Sequence, residues 1–178
     1  MEEHTVYLSL GSNMGNRAAN LKEAIAALPP QMEVKAKSKV YETPPWGYTE
    51  QQKFLNQVVM VTTYVEPIPL LKHLKRLEVA LGRKPTFQYG PRLIDIDILF
   101  YDDLIMESDV VAIPHPRLHE RGFVLTPMMD IAPDLPHPIN HKTIRELIAS
   151  CDVSGIEPYE AVAKEPDKIE SLKREFRQ

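Results

Sequence analysis

Residues 93–101 read Leu-Ile-Asp-Ile-Asp-Ile-Leu-Phe-Tyr. β-Branched and aromatic residues recur with a period of two, the pattern of a β-strand with two unlike faces. Ile94, Ile96 and Ile98 fall on one face, and Asp95 and Asp97 on the other, beside Leu93 and Leu99. The apolar face has to be buried, so the stretch demands a sheet packed against a second layer. On the opposite face the two aspartates are about 6–7 Å apart along the chain. Unpaired charges are costly on a half-buried surface, and a cation is expected between them. Each carboxylate can give oxygens to one hard cation, or to a pair of cations about 3.5–4 Å apart.

Gly90-Pro91-Arg92 stands directly before this strand. Glycine permits unusual backbone angles and proline stiffens the turn, which holds an anion-binding guanidinium at the mouth of the cation site. Carboxylates for a metal beside an arginine for phosphate suit phosphoryl transfer from a nucleotide–metal complex. A bare Asp-x-Asp is common on solvent-facing strands. The longer string, with fixed residues at frequencies of about one in twenty each, is very rare by chance.

The rest of the chain supplies the remaining layers. Thr5–Leu10 is an apolar run that predicts a first, central strand. Gly11-Ser12-Asn13-Met14-Gly15-Asn16 predicts a turn with helix-capping residues; it lacks the lysine and glycine spacing of a phosphate loop. Ala18, Leu21, Ala24, Ile25 and Leu28 form a helical stripe that ends at Pro29-Pro30. Residues 32–43 read as one strand, 43–52 as a long loop, and 54–65 as another strand. Pro67 opens a helix to about Leu81, closed by Gly82. A polar connection, 82–91, leads to the carboxylate strand, and 104–106 is expected to return as a short strand. Helices are predicted over 124–131 and 143–149, the second capped by Thr143 with Glu146. The charged alternation of 166–178 predicts a solvated terminal helix. Strand, helix, strand, strand, helix, strand is the split β-α-β order of an α+β, ferredoxin-like sandwich. In that arrangement the helices are expected to cover one face of the antiparallel sheet and leave the other free. The isoleucines of the central carboxylate strand should meet the helices. Its aspartates should open toward the loops around Trp46, Gln88 and His115. Residues 1–160 are expected to form one domain and 161–178 a helical tail.

Composition narrows the partners. A formal net charge of −4 argues against a general nucleic-acid-binding surface. One cysteine, Cys151, excludes an intrachain disulfide and a thiolate cluster. No apolar run reaches the roughly 20 residues of a membrane span, and the acidic start lacks signal-peptide character, so a cytoplasmic protein is expected. His115 and His119 have a zinc-binding spacing if they share a helix, but Pro116 intervenes and no third ligand is evident.

The string from Gly90 to Asp103 resembles the signature of the 6-hydroxymethyl-7,8-dihydropterin pyrophosphokinases, enzymes of folate biosynthesis. The resemblance runs from Ser9 to about Leu147. It includes Gly11-Ser12-Asn13, Tyr41-Glu42-Thr43-Pro44-Pro45-Trp46-Gly47, Phe54-Leu55-Asn56, Gly82-Arg83, Pro114-His115 and Arg121-Gly122-Phe123. It implies that ATP gives its β- and γ-phosphoryl groups together to the hydroxymethyl group of the dihydropterin, with AMP leaving. It implies Asp95 and Asp97 as ligands of two Mg²⁺ ions, and Arg83 and Arg92 as catalytic arginines. It implies a pterin pocket of Thr43, Pro44, Trp46, Phe54, Asn56 and Phe123. Nucleotide contacts are implied at Glu78, Arg83, Arg92, Ile98, His115 and Arg121. A flat, aromatic pterin calls for such aromatic faces with a few fixed polar groups. A monomer is expected. Many members of that family carry additional basic residues and a tryptophan in the loop before Gly90; this chain has Lys84-Pro85, Gln88 and Tyr89. Two other classes fit the paired aspartates on such a sheet, a polymerase-palm nucleotidyltransferase and a non-catalytic ligand-binding module. The first needs template binding, against which the acidic balance argues. The second leaves the convergence of Asp95, Asp97, Arg92 and Arg83 without a purpose.

Overall fold

A computed structural model describes residues 1–160. The charged terminal helix expected over 166–178 lies outside the described residues. Strands β1 (His4–Ser12), β2 (Glu33–Lys37), β3 (Tyr41–Thr43), β4 (Phe54–Thr63), β5 (Asp95–Tyr101) and β8 (Glu157–Pro158) make an antiparallel sheet. Its order is β5-β1-β4-β3-β8, with β2 also paired to β4. Helices α1 (Arg17–Ala26) and α2 (Pro67–Ala80) follow β1 and β4. This is the expected ferredoxin-like sandwich.

Both helices start and stop where their sequence dictates. Asn16 caps α1 by accepting from the Ala19 amide at 3.1 Å. Pro67 opens α2, where its missing N–H costs nothing. Gly82 follows it with φ +107°, a left-handed backbone that ends a helix cheaply only in glycine. Leu21, Ala24, Leu70 and Leu74 of the helices pack on Val6, Leu8, Leu10, Val59, Val61, Ile96 and Ile98 of the sheet. The isoleucine face of β5 therefore meets the helical layer, as its alternation predicts.

Four expectations are corrected. The carboxylate strand is not central: among the described residues β5 pairs only with β1 and forms an edge of the sheet, while β1 and β4 lie inside it. Residues 32–43 are two strands, because Ser38 interrupts the ladder. Its amide donates to the Val58 carbonyl and its hydroxyl accepts from the Val58 amide. The return after β5 is Met106–Glu107 (β6), which pairs with Ala112–Ile113 (β7) in a separate two-stranded sheet. The second sheet face is also not free. Helices α3 (Gly122–Ile131) and α4 (Ile144–Ala149) cover much of it. Val124, Leu125, Met128 and Ile144 pack there on Tyr7, Val58, Leu99 and Phe100. Leu99 and Phe100 both reach this cluster because the β1–β5 register shifts between Tyr7 and Leu8. Among the described residues, only the end of the face carrying Ser9, Gly11, Phe54, Asn56, Asp95 and Asp97 is left uncovered. Among the described residues, no helix is long and apolar enough to cross a membrane.

Candidate active site

The open end of the sheet is a cleft of about 560 Å³. β5 contributes Asp95 and Asp97, β4 contributes Phe54 and Asn56, and β1 contributes Ser9 and Gly11 to its floor. The loop after β3 adds Thr43, Pro44 and Trp46, the turn before β5 adds Tyr89 and Arg92, and Arg121 and Phe123 close it from the start of α3. Ten residues expected at the site by sequence therefore share one cleft: Thr43, Pro44, Trp46, Phe54, Asn56, Arg92, Asp95, Asp97, Arg121 and Phe123.

One end of the cleft is ionic. Asp95 accepts from Arg83 Nη1 on one oxygen and from Arg92 Nη1 on the other, both at 2.9 Å. Asp97 faces Lys75 Nζ at 3.5 Å. Burial disfavours the Asp95 charge, but Lys75, Arg92 and Arg83 outweigh it and hold the carboxyl below its ordinary range. Asp97 has no arginine of its own. Burial, and then the negative Asp95 beside it, push its pKa up to about 6. A site that raises one carboxylate in this way has room for positive charge. The residues fit a hard cation held by two aspartates, with its other oxygens drawn from phosphate and water. Among the described residues, no third His, Cys, Asp or Glu completes an all-protein metal cage.

A buttress stands behind the pair. The Glu78 carboxylate on α2 is 2% exposed. It accepts from Lys75 at 2.9 Å, from the Ile96 amide at 2.7 Å, and from Arg83. Lys75 also donates to the Ile96 carbonyl at 2.9 Å. Both oxygens of the Glu78 carboxylate are thus engaged by protein groups. Lys75 escaped the sequence reading, although its place one helical turn before Glu78 was a readable signal. Asn13 is more than part of a capping turn. Its side-chain oxygen accepts from the Arg92 amide at 2.8 Å, and its amide group donates to Gln51 and to the Gln52 carbonyl. It thereby ties the Arg92 turn to the loop after β3.

The other end is aromatic. Trp46 meets Tyr89 edge to face at 5.1 Å. The Arg121 guanidinium lies 5.0 Å from the Trp46 ring centre and 5.5 Å from that of Phe123. Asn56 donates to the Thr43 hydroxyl at 2.6 Å, a buried polar pair on the cleft floor. Gly11 lies so close that a Cβ there would come within 2.7 Å of the Asn56 side-chain oxygen. His115 stands 3.5 Å from Arg121. Burial, and then Arg121, push its pKa down to about 4, so it is neutral at pH 7. The buried Nε atoms of Arg92 and Arg121 have no hydrogen-bond partner among the described residues. Such unpaired donors fit an anionic ligand. His119 sits in the helical turn Leu118–Glu120, beyond Pro116, and pairs with Glu120 at 3.7 Å. The two histidines thus belong to no zinc-holding group among the described residues.

Comparisons with known proteins converge on one family. Residues 7–133 match the family model for 7,8-dihydro-6-hydroxymethylpterin-pyrophosphokinase, HPPK. The chain is similar to a 2-amino-4-hydroxy-6-hydroxymethyldihydropteridine pyrophosphokinase of Methylorubrum extorquens, 45% identical over 86% of this chain and 98% of the relative. A protein of the same name from Aquifex aeolicus is 42% identical over 80% of this chain and 89% of its own. Among solved structures, wild-type Plasmodium falciparum HPPK-DHPS with pteroate superposes with a TM-score of 0.67. At 18% identity it supports the fold alone, and it aligns with 83% of this chain but only 42% of its own. A family model matched over most of the chain, and relatives this similar along nearly their whole length, place it: the chain belongs to the 7,8-dihydro-6-hydroxymethylpterin-pyrophosphokinase family.

Proposed function

We infer that this chain transfers the pyrophosphoryl group of ATP to the hydroxymethyl oxygen of 6-hydroxymethyl-7,8-dihydropterin, releasing AMP and the dihydropterin pyrophosphate in tetrahydrofolate biosynthesis. Family membership supports the reaction. The observation that carries it onto these residues is the division of one cleft into an ionic end and an aromatic end. A transfer between a triphosphate and a flat heterocycle needs both, side by side.

An ATP-dependent pyrophosphokinase needs a divalent metal. We assign it as Mg²⁺, two ions, with Asp95 and Asp97 as ligands; their shared face and the raised Asp97 support this. Bound Mg²⁺ neutralises the triphosphate and polarises its phosphoryl oxygens. Arg83 and Arg92 are the catalytic arginines. Each now holds one oxygen of Asp95 and would turn a remaining N–H to the phosphates where charge builds as AMP departs. Arg121, with its unpaired Nε, and neutral His115 beside it bind the nucleotide phosphates. The Ile98 side chain is buried, so its nucleotide contact is through the backbone. Ile96 turns its N–H and C=O to the free edge of β5, and by strand alternation Ile98 does the same, offering a donor and an acceptor to a base. Glu78 acts through Arg83 and Ile96.

The dihydropterin ring stacks on Phe54 and Phe123, while Asn56, with Thr43, Pro44 and Trp46, reads its polar edge. This placement leaves the hydroxymethyl group facing the carboxylate end. Part of the same proposal are a monomeric enzyme, a cytoplasmic location, and no role for nucleic acid. Incubation with ATP, Mg²⁺ and the dihydropterin is expected to yield AMP and the pyrophosphorylated pterin in equal amounts. AMP or ADP formed independently of the pterin, or no turnover, would overturn the reading.

A further inference from the structure

The segment 152–159 lies beyond the stretch that matches the family model, yet it touches both walls of the pterin pocket. It leaves α4 in a tight turn. Asp152 accepts from the Ser154 amide at 2.9 Å and from its hydroxyl at 2.6 Å, and the Ile156 amide donates to the Val153 carbonyl. The chain then runs as β8 along β3, pairing Glu157 with Glu42 and Pro158 with Tyr41. The Tyr159 amide donates to the Val40 carbonyl at 2.8 Å, and Arg17 covers the Tyr159 ring at 5.6 Å. Arg17 also donates to Glu42 at 2.8 Å. β8 is thus anchored to the strand from which Thr43, Pro44 and Trp46 emerge.

Two glycines set the fit. Gly155 has φ +76°, and a Cβ on it would come within 2.9 Å of Pro44 Cγ. Gly122 precedes Phe123, and a Cβ there would come within 2.5 Å of the Asp152 carbonyl and 3.0 Å of Ile156. The turn 152–156 therefore presses on Pro44 on one side and on the backbone beside Phe123 on the other. Pro44, Trp46, Phe123, Asp152 and Ile156 line one hollow behind the pocket.

We propose that residues 152–159 are a positioning element for the pterin. The segment fixes the spacing between the wall that reads the pterin edge and the wall on which the ring stacks, without touching the pterin. A pocket preorganised in this way spares the ligand the cost of ordering it. The carboxylates and the arginines that hold Asp95 rest on α2, β5 and Asn13, so the segment reaches the ATP site only beside Arg121, and ATP binding is expected to depend on it far less than pterin binding does. The inference rests on the pterin-site assignment above.

Gly155→Leu forces a side chain into Pro44. It is expected to raise the pterin Kd by about tenfold in calorimetry, with the ATP Kd within about twofold of wild type. Asp152→Ala removes only the acceptor that holds the turn. It is expected to raise the pterin KM with kcat unchanged, and Asp152→Asn, which keeps an acceptor, should restore it. This pair decides the matter if Gly155→Leu does not fold. Pterin affinity unchanged in the folded variants, or pterin and ATP affinity lost equally, would overturn the positioning role alone. A wild-type chain that binds ATP but no pterin would overturn the functional reading, and this inference with it.

Discussion

At the scale of single residues, the site is decided by unequal neighbours around two similar carboxylates. Asp95 is gripped by two arginines, while Asp97 has only Lys75 at 3.5 Å. Asp95→Ala and Asp97→Ala are each expected to abolish turnover in a protein that remains folded, and circular dichroism beside an AMP assay checks both. Near-normal turnover in either would sink the metal assignment. His115 supplies a pH test. Its native pKa of about 4 lies below the ordinary 6.5, so between these values the unfolded chain takes up a proton that the folded chain refuses. Its contribution to stability is present above pH 6.5 and is lost as pH falls toward 4. Asp97 has the opposite sign. Its native pKa of about 6 exceeds the ordinary 3.8, so it favours the folded state progressively as pH falls through that window. His115→Gln leaves the Asp97 effect alone. The stability of wild type minus that of the variant, from urea unfolding, should therefore shrink as pH drops from 6.5 to 4. A difference independent of pH would show that His115 titrates as it does in the unfolded chain. The period-two pattern makes the aspartate pair legible in the sequence, whereas of Lys75 the sequence shows only its helical pairing with Glu78, since contact between a helix and an edge strand is a tertiary fact.

At the scale of elements, the connection between α2 and β5 carries the largest contrast. Arg83 and Arg92 stand at its two ends and are held on Asp95, while Gln88 and Lys84 are exposed. The connection rests on the loop after β3 through edge-to-face pairs, Trp46 with Tyr89 and Tyr48 with Phe87, and through Gln51, which donates to the Tyr89 carbonyl at 2.7 Å. A single arginine on the charge of a leaving group can be worth roughly 10³–10⁵ in rate. Arg83→Ala and Arg92→Ala are expected to lower kcat far more than they weaken ATP binding, whereas Gln88→Ala should stay within about a factor of ten because its amide carries no net charge. Single-turnover rates check this, and a Gln88 effect as large as that of Arg92 would assign the glutamine a role that charge does not supply. Helix bounds were legible because caps and prolines are local signals. The break between β2 and β3 was not, because Ser38 replaces ladder bonds with its own hydroxyl only once β4 lies alongside.

At the scale of the whole molecule, the sheet has two differently built sides. The side under α1 and α2 could be read from apolar alternation. The cover of α3 and α4 could not, since α3 is anchored by an exposed residue. Asp130 receives the Tyr41 hydroxyl at 2.9 Å and the Lys39 amide at 3.0 Å, fastening the second layer to β3. Tyr41→Phe is expected to cost about 1 kcal/mol in urea unfolding, and Asp130→Ala somewhat more because the Lys39 amide is also released. No loss in either would show that α3 is held by its apolar face alone. The edge position of β5 bears on association as well as on the site. An edge strand normally offers a row of unpaired amides and carbonyls to any passing strand. At Ile96 those groups are already taken, the amide by Glu78 and the carbonyl by Lys75, and the Leu99 carbonyl is taken by the His115 amide at 3.0 Å. The side chains that support the carboxylates thus also act as a substitute neighbouring strand. A Glu78→Ala protein should accordingly form sheet-rich aggregates on storage that light scattering detects and the wild type does not form, so that colloidal solubility and catalysis draw on the same few hydrogen bonds.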